Sequence, residues 1–215
     1  MQREDYRCIV TRILDYAYAL GLRTPNGGMY DGDVDSLDIC RIFPSSLNAD
    51  LEQSEKTRDS CANVWRVLNS LGYTDIFSCF ATANKIHSLE NIMVVTKSLL
   101  YRFDRLKTWF EPVEGIPNCY QICSILKPPR GLINGQWVTF QSSDPRLPLP
   151  NCEFLRIHAA CCRVAHQSGA SDLFYELERD LESNPNPTME LADFAKVLHV
   201  HLESLSDSST HVDAD

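Results

Sequence analysis

The chain has 215 residues, of which 29 are acidic and 20 are basic, giving a formal net charge of −9. A nucleic-acid-binding protein needs a basic surface to displace counterions from phosphates, so this balance disfavours such a role. Hydrophobic residues make up 44% of the chain, enough for a domain core that also encloses a pocket.

Targeting and redox signals are few. No apolar run is long enough to cross a bilayer, and charged residues follow Met1 where a signal peptide would be apolar. We therefore expect a cytoplasmic protein without a membrane span.

Nine cysteines without a secretory signal favour reduced thiols that pack as small apolar side chains. The spacing of Cys119 and Cys123 does not suit a zinc knuckle, and no Cys-x-x-Cys pair is present.

The first half of the chain predicts two strands and a helix. A strand is expected over residues 6–10, followed by a turn-rich loop built on residues 25–28 and 31–33. A second strand is expected over residues 39–43, before Pro44. Residues 55–71 have apolar side chains at helical spacing and predict a helix.

The second half predicts a further strand over residues 91–95 and a helix over 98–110. The apolar stripe of that helix is Leu99, Phe103, Leu106 and Phe110. Residues 119–126 and 136–141 predict two strands around a turn at 128–131. Asn151 predicts the N-cap of a long helix, and residues 189–205 predict a last helix before a disordered tail. The predicted buried side of the long helix is Phe154, Leu155, Ile157, Cys161, Val164 and Ala165.

Four segments follow one another along the chain: residues 3–11 (REDYRCIVT), residues 40–47 (CRIFPSSL), residues 86–91 (IHSLEN) with 99–106 (LLYRFDRL), and residues 147–151 (LPLPN) leading into 158–166 (HAACCRVAH) and 168–170 (SGA). Together and in this order they resemble a family of HNH-endonuclease-like (ββα-metal) proteins common in filamentous fungi. The resemblance implies an α+β fold, with an HNH-like ββα core, appended α-helices and a mostly helical chain. It also implies an HNH-like domain over 1–146, a helical extension packed on it over 147–205, and a disordered tail over 206–215.

The chain departs from that family at the positions that carry the chemistry. The resemblance places Arg41 where the family has its general-base histidine, Asn91 where an asparagine orients that base, and Leu100 where a histidine binds the metal. Arginine stays protonated at physiological pH and leucine cannot ligate a cation. We therefore expect a degenerate member that binds no metal, needs no cofactor and does not cleave DNA.

Two functions from different classes remain open. In the first, the former active site binds a small apolar substrate with a carboxylate or carbonyl group and guides a cyclisation or rearrangement, such as a Diels-Alder reaction of secondary metabolism. Arg41 and Asn91 would be its catalytic residues, since a guanidinium can hold a carboxylate or polarise a carbonyl. The expected lining of this cavity is Cys40, Leu100, Phe103, Trp65 and Trp109.

The second function is a non-catalytic interaction module, in which Arg41 pairs with a local acid such as Asp35 or Asp38.

A third hypothesis concerns binding to nucleic acid. The chain has one locally basic stretch, composed of Lys97, Arg102, Arg105 and Lys107. We interpret it as a solvated helix face, with a relict DNA groove as the alternative and no sequence-specific nucleic-acid partner.

Overall fold

A computed structural model of the protein describes residues 1–22, 30–44, 85–129 and 131–169. The strands are β1 (Leu14–Asp15), β2 (Val34–Asp35), β3 (Leu37–Arg41), β4 (Ile92–Thr96), β5 (Thr108–Pro112), β6 (Cys119–Ser124) and β7 (Trp137–Thr139). The helices are α1 (Tyr16–Gly21), α2 (Lys97–Asp104) and α3 (Cys152–Gln167). The fold is α+β, as predicted. The expectation of a mostly helical chain is wrong for the described residues, where strands and helices have comparable total lengths.

The strands form three small sheets. β1 pairs with β2 in parallel, β3 pairs with β4 antiparallel, and β5, β6 and β7 form an antiparallel sheet in that order. In the second sheet Arg41 lies opposite Ile92, and Leu37 lies opposite Thr96. β4 leads directly into α2, which packs on both strands. The sequence therefore places a strand, a strand and a helix in contact with each other.

Contacts divide the chain into two units, Met1–Cys162 and Arg163–Asp215, and the division falls within α3. The core of the first unit contains side chains from β3, β4, α2, the third sheet and the first turns of α3. Aromatic rings connect these elements, because Phe110 of β5 packs against Phe103 of α2 on one side and Phe140 on the other. Phe43 meets Phe154 of α3 edge to face at 5.4 Å between ring centroids. No helix in the described residues is long and apolar enough to span a membrane.

α2 ends earlier than the sequence predicts. Its N-cap is Thr96, whose side-chain oxygen accepts a hydrogen bond from the Leu99 backbone. At the other end, Leu106 N–H bonds to Phe103 O and Lys107 N–H bonds to Arg102 O, which is the Schellman pattern of helix termination. The predicted helix over 98–110 is therefore split into α2 and β5. Of its predicted stripe, only Leu99 and Phe103 are buried on the helix, while Phe110 is buried on a strand.

The predicted strand over residues 6–10 is wrong. These residues form turns, with Tyr6 in the left-handed region and a single bridge between Arg7 and Leu14. Their apolar side chains are nevertheless buried, because Ile9 N–H bonds to Val94 O on β4 and holds the turn against the second sheet. The run of apolar residues from Cys8 to Val10 is therefore buried in a turn and not in a strand.

The predicted N-cap of α3 is confirmed, because Asn151 Oδ1 accepts a hydrogen bond from Glu153 N at 2.8 Å. Its predicted buried side is wrong at Cys161 and Val164, which are exposed, and Cys162 is buried instead. The seven cysteines of the described residues are free thiols. The helices predicted over 55–71 and 189–205 and the tail over 206–215 lie outside the described residues.

A buried arginine joins three distant segments of the first unit. Arg3 is 3% exposed and donates hydrogen bonds to the carbonyl groups of Leu89, Ile92 and Pro148. It also pairs with the buried Glu4 carboxylate. A buried charge is tolerated only when it is paired and hydrogen-bonded, and these partners satisfy that requirement. Arg3 thus holds the chain start, the start of β4 and the segment before α3 together.

A buried asparagine closes the long connection between β3 and β4. Asn91 is fully buried, and its Nδ2 donates to Phe43 O and to Ile86 O, each at 2.9 Å. Its Oδ1 accepts from Phe43 N at 2.8 Å, and its backbone carbonyl accepts from Ile42 N at 3.0 Å. These bonds fix the chain directly after Arg41.

The replacement Asn91→Ala is expected to lower the free energy of unfolding by roughly 3 kcal/mol or more, because three buried backbone groups lose their partners. The matched control is Asn134→Ala, which removes one partly exposed bond to Ser124 N and should cost about 1 kcal/mol. Urea denaturation of the two variants measures the difference. Equal losses would contradict this role for Asn91.

Candidate functional site

A cavity of about 490 Å³ lies where β3 faces α2. Among the described residues that line it, six have aliphatic or aromatic side chains and three have polar ones. This volume and this composition are typical of sites for small organic molecules, which combine apolar walls with a few polar groups. The lining residues are Ile39, Arg41, Ile42, Pro44, Leu100, Phe103, Asp104, Leu106 and His158.

The cavity is lined by one face of the strand β3 and one face of the helix α2. Ile39 and Arg41 are two residues apart on β3, so they share one face of the strand. Leu100, Phe103 and Asp104 have the spacing of one face of a helix, and they line the cavity from α2. The strand supplies a cation and the helix supplies an acid.

Arg41 is the only lysine or arginine that lines the cavity among the described residues. Its side chain is exposed, and it forms no hydrogen bond or ion pair within the described part of the chain. Asp35 and Asp38, which the sequence offered as partners, each accept a hydrogen bond from the next backbone N–H instead. Within these residues the guanidinium is therefore available to a ligand.

Asp104 contributes a carboxyl group in an environment that disfavours its charge. Asp104 is an exposed residue, but partial burial of its carboxyl raises the pKa above its ordinary value, against the opposing effect of the Arg105 charge. Burial, together with the charge of Asp104, raises the pKa of the Cys40 thiol well above its ordinary value. Cys40 is fully buried and is a neutral thiol at physiological pH. The two groups therefore lie close enough to interact.

Leu106 lines the cavity from a backbone conformation that leucine rarely adopts. Its φ is 56°, in the left-handed region, at the helix-terminating position where glycine is usual. This conformation costs about 1 kcal/mol for a residue with a Cβ. A glycine would relieve the strain but would leave a gap in the cavity wall. The side chain of Leu106 forms part of the cavity wall, whereas the helix-terminating turn by itself would favour glycine at this position.

His158 of α3 forms the polar floor of the cavity. Its ring stacks on Phe103 at 3.6 Å between ring centroids, and its Nε2–H donates to Phe103 O at 3.2 Å. The Cys162 Sγ atom lies 3.6 Å from Nδ1, and its S–H donates to this nitrogen. Burial lowers the pKa of His158 to about 4, despite the bond to Phe103 O, so the ring is neutral at physiological pH. Both ring nitrogens are occupied, which leaves this histidine without a free base for catalysis.

The structure brings together three of the residues that the sequence proposed. Arg41, Leu100 and Phe103 line one cavity, whereas Cys40, Asn91 and Trp109 are not among its lining residues. The side chain of Asn91 is occupied by backbone groups, and Trp109 Nε1–H donates to Glu111. Trp65 lies outside the described residues.

Sequence reasoning missed Asp104 and His158 as lining groups, although both fell within the segments that carried the resemblance. Their residue types gave no sign that they would reach the same cavity as Arg41.

No group of three or more histidine, cysteine or acidic residues within the described ranges could hold a metal ion. Comparisons of the chain with protein-family models, curated proteins and solved structures find no match.

The neutral state of His158 predicts a pH-dependent stability. Between about pH 6.5 and pH 4 the unfolded chain protonates this residue while the folded protein does not. The free energy of unfolding should therefore fall by roughly 3 kcal/mol as the pH drops through this window, and the contribution is fully present above it. Urea denaturation at several pH values should show a smaller fall for His158→Phe, which retains a ring to stack on Phe103.

The matched control is His87→Phe, because His87 is exposed. Its pH dependence should equal that of the unmodified protein. If the free energy of unfolding of His158→Phe depends on pH as that of the unmodified protein does, the neutral His158 ring is not the cause of the loss of stability at low pH.

Proposed function

We propose that this protein is a metal-free, cofactor-free enzyme that binds a small, largely apolar molecule in the cavity beside Arg41 and guides its cyclisation or rearrangement. The observation that carries the proposal is an unpartnered guanidinium, within the described residues, on the wall of an otherwise mostly apolar cavity. Apolar walls hold a flexible substrate in its reactive conformer. The guanidinium stabilises negative charge that develops on a carbonyl or carboxylate oxygen.

The arrangement of β3, β4 and α2 supports a nuclease ancestry for the cavity. Their order and contact agree with the strand, strand and helix unit that the resemblance implies. Arg41 and Leu100, at the positions of the family's base and metal-binding histidines, line the same cavity. In this proposal, an ancestral hydrolytic centre became a binding pocket when Arg41 replaced its general base and Leu100 replaced its metal ligand.

Asn91 takes a different role from the one that the sequence suggested. Its side-chain donors and acceptor are used by Phe43 and Ile86, so it supports the loop behind Arg41 without touching the ligand. The non-catalytic alternative required Arg41 to pair with Asp35 or Asp38. Neither pair forms in the described residues, which favours the ligand-binding proposal.

The protein should not cleave DNA. Incubation of the purified protein with supercoiled plasmid and magnesium, manganese or nickel is expected to leave the plasmid intact, because the family's base and metal-binding positions hold Arg41 and Leu100. Duplex binding should be weak and should decline steeply as salt rises. Metal-dependent nicking that disappears in Asn91→Ala, with folding verified, would contradict the proposal.

The enzyme should catalyse an isomerisation that leaves substrate mass unchanged. A suitable panel contains linear conjugated dienes tethered to alkenes that bear a ketone or carboxylate, with cyclic isomers separated by chromatography. Arg41→Ala should lower turnover about 10²- to 10³-fold, by analogy with loss of one oxyanion donor. Leu100→His should also lower turnover without creating a nuclease, because position 41 still lacks a base.

The matched control is Arg146→Ala, since Arg146 is 87% exposed and pairs with Asp144 away from the cavity lining. It should retain full turnover. Unchanged turnover in Arg41→Ala would exclude the catalytic role of the guanidinium.

A further inference from the structure

The cavity holds a second charged group that the proposed guidance of a substrate does not use. Asp104 is the last residue of α2 and lines the same cavity as Arg41. Neither side chain forms a hydrogen bond or ion pair within the described residues, and no ion pair joins them to each other. Two opposite charges that share one cavity without pairing are both available to a molecule placed between them.

The position of Asp104 is unfavourable for stability. The C-terminal end of a helix carries partial negative charge, so a carboxylate in the last turn is disfavoured. Partial burial of the Asp104 carboxyl also raises its pKa above the ordinary value, although the residue is exposed. The adjacent Leu106 is held in a left-handed conformation on the same wall. Locally unfavourable choices that converge on one cavity are typical of functional sites.

From this geometry we infer that Asp104 is a catalytic proton acceptor and that the substrate is an enolisable carbonyl compound. The inference rests on the proposed function, because Arg41 must hold the carbonyl oxygen. Asp104 then takes a proton from the carbon next to the carbonyl. The electrons of that C–H bond form the C=C bond of an enolate, and the carbonyl electrons move to the oxygen that faces Arg41.

The proton then returns from the Asp104 carboxyl group to a carbon of the same conjugated system. The product is an isomer of the substrate, and Asp104 is again a carboxylate. No oxidant, reductant or second substrate is required. Where the substrate carries a further C=C bond in conjugation with this enolate, the extended enolate is also a diene, so the same proton transfer prepares a substrate for ring closure. A carboxylate whose pKa is raised above its ordinary value is a stronger base than that of a solvated aspartate, which favours this transfer.

Solvent-deuterium exchange tests the inference. The probe is 2-oxo-4-phenylbutanoate, which combines an apolar ring, a carboxylate and an enolisable carbonyl, and exchange at its C3 is followed by mass spectrometry in D₂O. The unmodified protein should accelerate exchange over buffer. Asp104→Asn should lose at least 100-fold of this acceleration while binding the probe within about threefold of normal affinity by calorimetry. Asp104→Glu should retain part of the rate.

The matched control is Asp38→Asn, because Asp38 is exposed on β3 and does not line the cavity. It should exchange the probe at the normal rate. Arg41→Ala should lose both binding and exchange. Bound probe that does not exchange, or exchange that survives in Asp104→Asn, overturns the inference and leaves the binding pocket standing. A probe that does not bind contradicts both the inference and the proposed function.

Discussion

The site depends on the side-chain amide of Asn91. Its three hydrogen bonds to Phe43 and Ile86 are made where no solvent can replace them. A buried amide that satisfies backbone groups fixes chain geometry more strictly than apolar packing does, because leaving those groups unpaired is costly. These bonds fix the segment that follows Arg41, and Ile42 and Pro44 of that segment line the cavity together with side chains of α2. The side chain of Asn91 is used entirely for these backbone hydrogen bonds.

The cavity combines features that stability alone would not favour. A carboxylate lies at the negative end of a helix, a leucine occupies a left-handed position, and a histidine is buried without charge. Each contributes to the cavity: Asp104 and Leu106 line it together with Arg41, and the His158 ring stacks on Phe103 and bonds to its carbonyl group. The core around Phe110 and Phe140 supplies the compensating stability through burial of large apolar side chains.

The sequence predicted the elements that depend on local pattern. The strands β3, β4 and β6 and the capped start of α3 follow from apolar patterning and from Asn151, and their bounds differ from prediction by a few residues. The end of α2 could not be predicted, because a leucine at a left-handed position gives no termination signal of the kind that glycine gives. The apolar turn over residues 6–10 resembled a strand because its burial is imposed by the neighbouring β4.

The candidate site was partly predictable for a related reason. Arg41, Leu100 and Phe103 were found because they lie in segments with a recognisable order, and the fold brings them together. His158 was missed because its place in the cavity depends on packing against Phe103 of α2, which is distant from it in the chain. Asp104 was missed because its residue type gave no sign that it lines the same cavity as Arg41. The sequence suggested a catalytic role for Asn91, whereas its side-chain hydrogen bonds are made to backbone groups of Phe43 and Ile86. Residue type and spacing did not distinguish these two uses of an asparagine.

The most direct test of the account is a crystal structure of the protein with 2-oxo-4-phenylbutanoate bound. The account predicts a carboxylate or carbonyl oxygen within about 3 Å of the Arg41 guanidinium, with the phenyl ring against Leu100 and Phe103. It also predicts that the Asn91 side chain keeps its bonds to Phe43 and Ile86. A cavity closed by an ion pair between Arg41 and Asp104, with no density for the ligand, would contradict the claim that this is a binding site.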